Sequence, residues 1–231
     1  MKFANVSGRA TLVIDGKAVD IEQASDGRIG SDPMVYSDLE LHSELAGLAA
    51  SVDPAAWPTL DPATLGAPVP RPPKGFGVIV FGRTCSKATE ADAWSYLAGV
   101  TCGQDISDRG EQFRPPVKQF TIAKTYDTFG PTGPYLVTSD ELDNRDGVGV
   151  QGRVDGDVVQ DGNTDDLIFS VPALVAWLSR FITFRPGDLV WTGTPGGVGE
   201  ARTPQLFLRH GMILETEVEG IGTMRNPVVE R

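Results

Sequence analysis

The sequence predicts a mixed α+β protein dominated by β-structure. Three observations predict it: short runs in which apolar and polar residues alternate, Asp-Gly pairs at Asp15-Gly16 and Asp155-Gly156 between such runs, and few segments with helical periodicity. Alternation with a period of two puts one face of a strand on a core and the other in water, and Asp-Gly supplies the positive φ angles of a two-residue hairpin turn. A chain of 231 residues that is 40% hydrophobic can bury a full core.

Taken in order, residues 2–6, 10–14 and 17–22 read as strands, the last two joined at Asp15-Gly16. Leu39, Leu41, Leu45, Leu48 and Ala49 predict a helix over 38–52. Its His42 has no metal-binding partner one helical turn away, so a surface or packing role is expected. Residues 61–74 hold five prolines and predict a stiff, extended connector. The connector divides a small N-terminal α+β domain, 1–66, from a second domain, 67–231. The continuous apolar run at 75–81 predicts a strand buried on both faces. Residues 86–94 predict a helix capped by Ser86 or Thr89, and 96–101 and 120–123 read as strand-like runs. A hairpin over 147–160 turns at Asp155-Gly156, and Thr164, Asp165 and Asp166 cap a helix reaching Phe181 that Pro172 interrupts. Strands at 189–192, 212–219 and 222–229 complete the chain.

The net charge of -11 and pI near 4.6 argue against nucleic acid, which demands a basic face. No window approaches the roughly 18 consecutive apolar residues of a membrane span, and the first residues lack a signal-peptide pattern, so a cytoplasmic protein is expected. Cys85 and Cys102 form no motif and are expected as free, buried thiols. The glycine-rich run from Gly193 to Gly199 has neither P-loop nor dinucleotide spacing. Its glycines serve either a sharp turn with positive φ or the close approach of a ligand.

The densest polar chemistry lies in 101–134. Asp105, Asp108, Arg109, Glu111 and Gln112 form one group; Lys124, Tyr126, Asp127 and Thr128 form another, just ahead of a Phe-Gly-Pro-Thr-Gly-Pro turn. Each charge taken singly would be an ordinary solvated one. Both groups, however, follow strand-like runs and end at rigid turns, which is how loops on a scaffold build sites. Magnesium prefers carboxylate oxygen, and beside Arg and Lys such an ion would hold an anionic, oxygen-rich substrate. A metal-bound keto acid fits that chemistry.

The order of motifs, Asp105 to Gln112 (DISDRGEQ), Lys124 to Pro134 (KTYDTFGPTGP), Gln160 to Thr164 (QDGNT), Pro186 to Asp188 (PGD) and Thr192 to Gly199 (TGTPGGVG), resembles the fumarylacetoacetate hydrolase family, in particular its bacterial acylpyruvate hydrolases and 2-hydroxyhepta-2,4-diene-1,7-dioate isomerases. The resemblance covers 67–231. It implies a β-sandwich roll with a small N-terminal domain, a homodimer, and a Mg²⁺- or Mn²⁺-dependent enzyme acting on a small 2-oxo or 2-hydroxy-dienoic acid through a metal-bound enolate. Hydrolysis of a C–C bond in an acylpyruvate is the leading expectation, with isomerisation, decarboxylation or an inactive binding homologue as alternatives. Carried over by position, Asp105 is a metal ligand with Thr128 beside the metal, Arg109 and Gln112 contact substrate oxygens, Lys124 steadies the enolate, and Thr194 holds a substrate carboxylate. The resemblance also implies a catalytic His and a Glu-x-Glu pair ahead of Ile79. This chain passes from Arg71-Pro-Pro-Lys74 through Gly75-Phe-Gly-Val78 straight to Ile79-Val-Phe-Gly-Arg83, so a segment that the resemblance implies near Val78 is missing.

Overall fold

In the computed structural model, which describes residues 1–67 and 79–230, strands form two antiparallel sheets. β1 (Lys2–Val6), β2 (Arg9–Ile14) and β3 (Lys17–Asp20) make an opening meander. Its second turn is the expected Asp15-Gly16, with φ of 49° and 72°. The third strand is shorter than its alternation implies, because Asp20 caps a single helical turn, α1 (Ile21–Ala24), by accepting from the Gln23 amide. The helix α2 (His42–Ser51), entered through a 3₁₀ turn at Leu39–Leu41, lays Leu45 and Leu48 on this sheet.

The long sheet continues through β4 (Leu65–Gly66), β5 (Ile79–Phe81), β6 (Leu97–Gly103), β7 (Thr132–Val137) and β10 (Leu189–Val190). Its order is β10-β5-β6-β7-β1-β2-β3, with β4 also on β1. Residues before and after the connector thus share one sheet, joined where Lys2 and Phe3 face Val137 and Leu136. β5 is buried on both sides as its apolar run predicts: Val80 enters the core with Phe3, Leu12 and Leu45, while Ile79 and Phe81 enter a second core with Val175 and Phe184. Residues 75–78 of that run, and 68–74 of the connector, lie outside the described residues.

A second sheet pairs β8 (Gly149–Val154), β9 (Asp157–Asn163), β11 (Ile213–Val218) and β12 (Gly222–Pro227) in the order β12-β11-β8-β9. Asp155 and Gly156, with φ of 52° and 88°, turn β8 into β9 as expected. Cys102 and Val137 of the long sheet pack against Val148, Val218, Ile221 and Met224, which seals the two sheets together. The fold is the predicted one, mixed α+β and dominated by β-structure. No helix among the described residues is long and apolar enough to cross a membrane.

Three local expectations fail, each for a tertiary reason. Residues 86–94 are not a helix: Lys87 takes a left-handed φ of 57°, and the amides of Lys87 and Ala88 are drawn to the carbonyl and hydroxyl of Ser179, which docks this stretch on the end of the chain's later helix. Residues 120–123 are not a strand but run into a 3₁₀ turn at Ile122–Lys124, leaving Phe120 and Ile122 exposed. Pro172 marks a short 3₁₀ turn (Thr164–Asp166) followed by a longer helix, α4 (Val171–Leu178), but it stands in the first turn of α4, where no amide is needed; Asn163 caps the short turn and Ser170 caps α4 through the Ala173 amide, in place of Thr164, Asp165 and Asp166.

Candidate active site

The site begins where β6 leaves the sheet. Gln104 is buried there, its amide donating to Pro131 O and its side chain tied to the second sheet by Asn226 Nδ2 at 2.8 Å and Leu214 O at 3.3 Å. That clamp fixes the backbone from which Asp105 projects. Asp108 then caps α3 (Arg109–Gln112), accepting from the Glu111 amide at 3.1 Å. The Asp108 amide donates to Ala123 O, and the Gln119 amide donates to Gln112 O. These backbone bonds fold the segment back over α3 and deliver Lys124 to Asp105.

The two polar groups of 101–134 therefore meet. Lys124 Nζ donates to Asp105 Oδ2 in an ion pair whose side chains are 26% and 29% exposed. Arg109 Nη1 donates to Gln112 Oε1, and Gln112 is buried at 1% exposure. A pair as open as Asp105–Lys124 contributes about 1 kcal/mol or less to stability, so its importance is where it places charge. Thr128 is exposed with φ of 72°, and Thr194 is exposed in the glycine loop. Among the described residues neither threonine hydroxyl bonds to the other four side chains.

What sets the glycine loop beside this segment is Trp191, which the reading of motifs missed. A Cβ on Gly103 would lie 2.8 Å from the Trp191 ring, and one on Gly130 would lie 3.6 Å from it. The indole thus occupies space cleared by glycines on both sides of the polar segment, and Thr194 follows three residues later. The signal was a lone Trp between a strand and a glycine-rich turn. The loop's own glycines answer the question left open by sequence: Gly197 has φ of 97° and a Cβ there would meet Val159 O at 2.0 Å, while one on Gly199 would meet Leu206 O at 1.9 Å. These two admit the chain's own backbone, whereas a Cβ on Gly196 would meet nothing within 4 Å. Gln160 Nε2 to Pro195 O and Arg202 Nη1 to Val159 O, both 2.9 Å, complete the docking of the loop on β9.

The donor set does not suit a divalent ion. Among the described residues no group of three or more His, Cys, Asp or Glu side chains could hold a metal, and 68–78 contain none of these residue types. Asp105 is engaged by Lys124, and Asp108 by the start of α3. Both imidazoles are elsewhere: His42 Nε2 contacts Tyr36 O at 2.8 Å under the first sheet, and His210 Nδ1 accepts from the Glu230 amide. The thiols are buried; loss of water pushes Cys102 up to about 12 and raises Cys85, so neither is a ready nucleophile. What remains is an Asp-held ammonium, a guanidinium paired with an amide, and threonine hydroxyls, a set suited to an anion rich in oxygen.

Comparison with known proteins agrees with the motif order. The model of the fumarylacetoacetate (FAA) hydrolase C-terminal region matches residues 77–229. A structure described as a candidate HpcE protein from Mycobacterium smegmatis is 31% identical and superposes with a TM-score of 0.91, covering 100% of both chains. The 5-carboxymethyl-2-hydroxymuconate delta-isomerase from the same organism is 39% identical over 67% of this chain and 57% of that one, with a TM-score of 0.60. Mitochondrial oxaloacetate tautomerase FAHD2A from Homo sapiens is 42% identical over 151 residues, 65% of this chain and 48% of that protein. The chain spans about half the length of the curated relatives it matches.

Proposed function

Because this chain belongs to the fumarylacetoacetate hydrolase family, we propose that it isomerises a small 2-oxo or 2-hydroxy-dienoic dicarboxylic acid through an enolate stabilised by Lys124. The observation that carries the reading is the convergence of the two polar groups, with the Lys124 ammonium held on Asp105 next to the Arg109–Gln112 pair. In this reading the Arg109 guanidinium, oriented by the buried Gln112 amide, holds a substrate carboxylate, Thr194 takes a second one, and Thr128 borders the site. Negative charge that develops on the 2-oxo oxygen as a neighbouring C–H proton leaves falls beside Lys124. A fixed positive charge at that point lowers the barrier because it requires no reorganisation as the charge appears. Residues 67–231 carry the chemistry, and 1–66 support them through the shared sheet.

Isomerisation is favoured over the C–C hydrolysis implied by the motifs on one observation. Hydrolysis consumes a water that must be activated, and both imidazoles are engaged with other groups, His42 with Tyr36 O and His210 with the Glu230 amide. Isomerisation consumes no water: the proton passes from carbon to a water molecule at this open site and one returns from water at another atom, so no activated nucleophile is needed. The isomerase and tautomerase names of two relatives lend support.

The test is the keto–enol interconversion of oxaloacetate followed by ultraviolet absorbance, with cleavage of an acylpyruvate measured in parallel. We expect interconversion by the wild-type chain and a loss of about 100-fold or more in kcat/KM for Lys124→Met, with an unchanged melting temperature. Full activity in that variant refutes the role of Lys124. If the wild-type protein binds these acids but performs neither reaction on them, the isomerase reading is refuted and a binding role is favoured.

A further inference from the structure

Asp105, the carboxylate a family metal site would draw on, is paired with Lys124, and the arrangement points to a different cation. We infer that in this chain the Lys124 ammonium is the permanent counter-ion of Asp105, and that a planar 2-oxo acid or its enolate mimic binds here without a divalent ion. The inference rests on the functional reading above for the class of ligand. It departs from that class's usual partner because of the donor set.

The geometry carries it in three steps. First, a hard dication needs several carboxylate oxygens, and Asp105 is the carboxylate at the end of β6 whose one bonded partner is already a cation. Second, the contact is built by the fold: Asp108 N to Ala123 O at 2.8 Å and Gln119 N to Gln112 O at 3.1 Å bring the 3₁₀ turn carrying Lys124 over α3. A lysine delivered by backbone bonds is not a side chain that wandered onto a free acid. Third, among the described residues no group of three or more Asp, Glu, His or Cys side chains could hold a metal, and 68–78 (PVPRPPKGFGV) add none of these residue types. An ammonium satisfies one carboxylate and still has donors for a ligand oxygen, because it carries three N–H groups. Lys124 can therefore bridge Asp105 and an anion, which is the place a dication would otherwise take.

The two readings of Asp105 predict opposite signs. A metal ligand must be kept for the anion to bind. A counter-ion opposes the anion, so its neutralisation leaves binding intact or improves it. The experiment titrates the full chain calorimetrically with oxalate, in EDTA and in excess Mg²⁺, with free oxalate corrected for its own Mg²⁺ complex. Free Mn²⁺ is read separately by its paramagnetic resonance signal.

The wild-type chain is expected to bind oxalate with the same affinity, within about twofold, in both buffers, and to leave the Mn²⁺ signal unchanged. Asp105→Asn is expected to bind oxalate in EDTA as well as the wild type or about three- to tenfold tighter, from the loss of one nearby like charge; Lys124→Met is expected to lose it. Oxalate binding that appears only with Mg²⁺, depletion of free Mn²⁺, or a loss of binding in a folded Asp105→Asn overturns the inference and leaves the functional reading standing. Failure of the wild type to bind oxalate in either buffer overturns both.

Discussion

The opening meander and the site loops are built by opposite rules. In β1, β2, α1, α2 and the 3₁₀ turn Pro33–Ser37, side chains such as Phe3, Ala4, Leu12, Ile21, Tyr36 and Leu45 are at 0–1% exposure, and the Phe3 ring stacks on Tyr36 at 5.2 Å. In 104–131 the chain has little regular structure, its apolar residues Val117, Phe120 and Ile122 face outward, and its order comes from backbone bonds and charge. The first region invests in packing, where every methylene counts, and the second in placing a few polar atoms. The difference teaches that damage to one should register in stability and damage to the other in ligand chemistry.

The largest effect that sharpens this contrast is expected from Phe3→Ala. Removing a ring at 0% exposure that also faces His42 should cost about 3–5 kcal/mol of unfolding free energy. Urea denaturation should show that loss while kcat of the folded fraction is retained; a proportional fall in kcat would break the division. A middle case is Gly197→Ala. Its Cβ would collide with Val159 O in a left-handed backbone, and we expect about 1–3 kcal/mol of destabilisation together with weaker oxalate binding, since the loop bearing Thr194 must shift off β9. A variant with wild-type melting and binding would show that the loop does not need this docking.

The smallest effect concerns pH. Burial holds His42 below the usual imidazole value, only partly offset by its bond to Tyr36 O; of the charges facing it, the Met1 amino group lowers it further, while Asp38 and Asp140 raise it. An unfolded imidazole gains its proton near pH ~6.5, earlier than the folded one. The contribution is therefore complete above that pH and is lost as pH falls through it toward the lowered folded-state value. Chemical denaturation should show stability declining over about pH 7 to 5, and His42→Phe should flatten that slope. An unchanged slope would mean that His42 is already solvated.

Much of the fold was legible because its signals are short-range. Asp15-Gly16 and Asp155-Gly156 adopt the left-handed angles that a two-residue turn demands, and the apolar run at Ile79–Phe81 is buried on both faces as its composition requires. The candidate site was legible as residue types: the polar groups around Asp105 and Lys124 do meet. Other features depended on partners distant in sequence. Residues 86–94 docked on Ser179 with Lys87 in a left-handed conformation, 120–123 turned over α3 instead of pairing, and Gly197 and Gly199 made room for Val159 and Leu206. Above all, a carboxylate in a motif announces that it will find a cation without saying which one. By itself the sequence determined the β-rich class, the hairpins and the inventory of the site, since these follow from local periodicity and turn chemistry. Only the tertiary structure decided that Asp105 is held by Lys124, because that contact depends on backbone bonds that fold 19 residues back upon themselves.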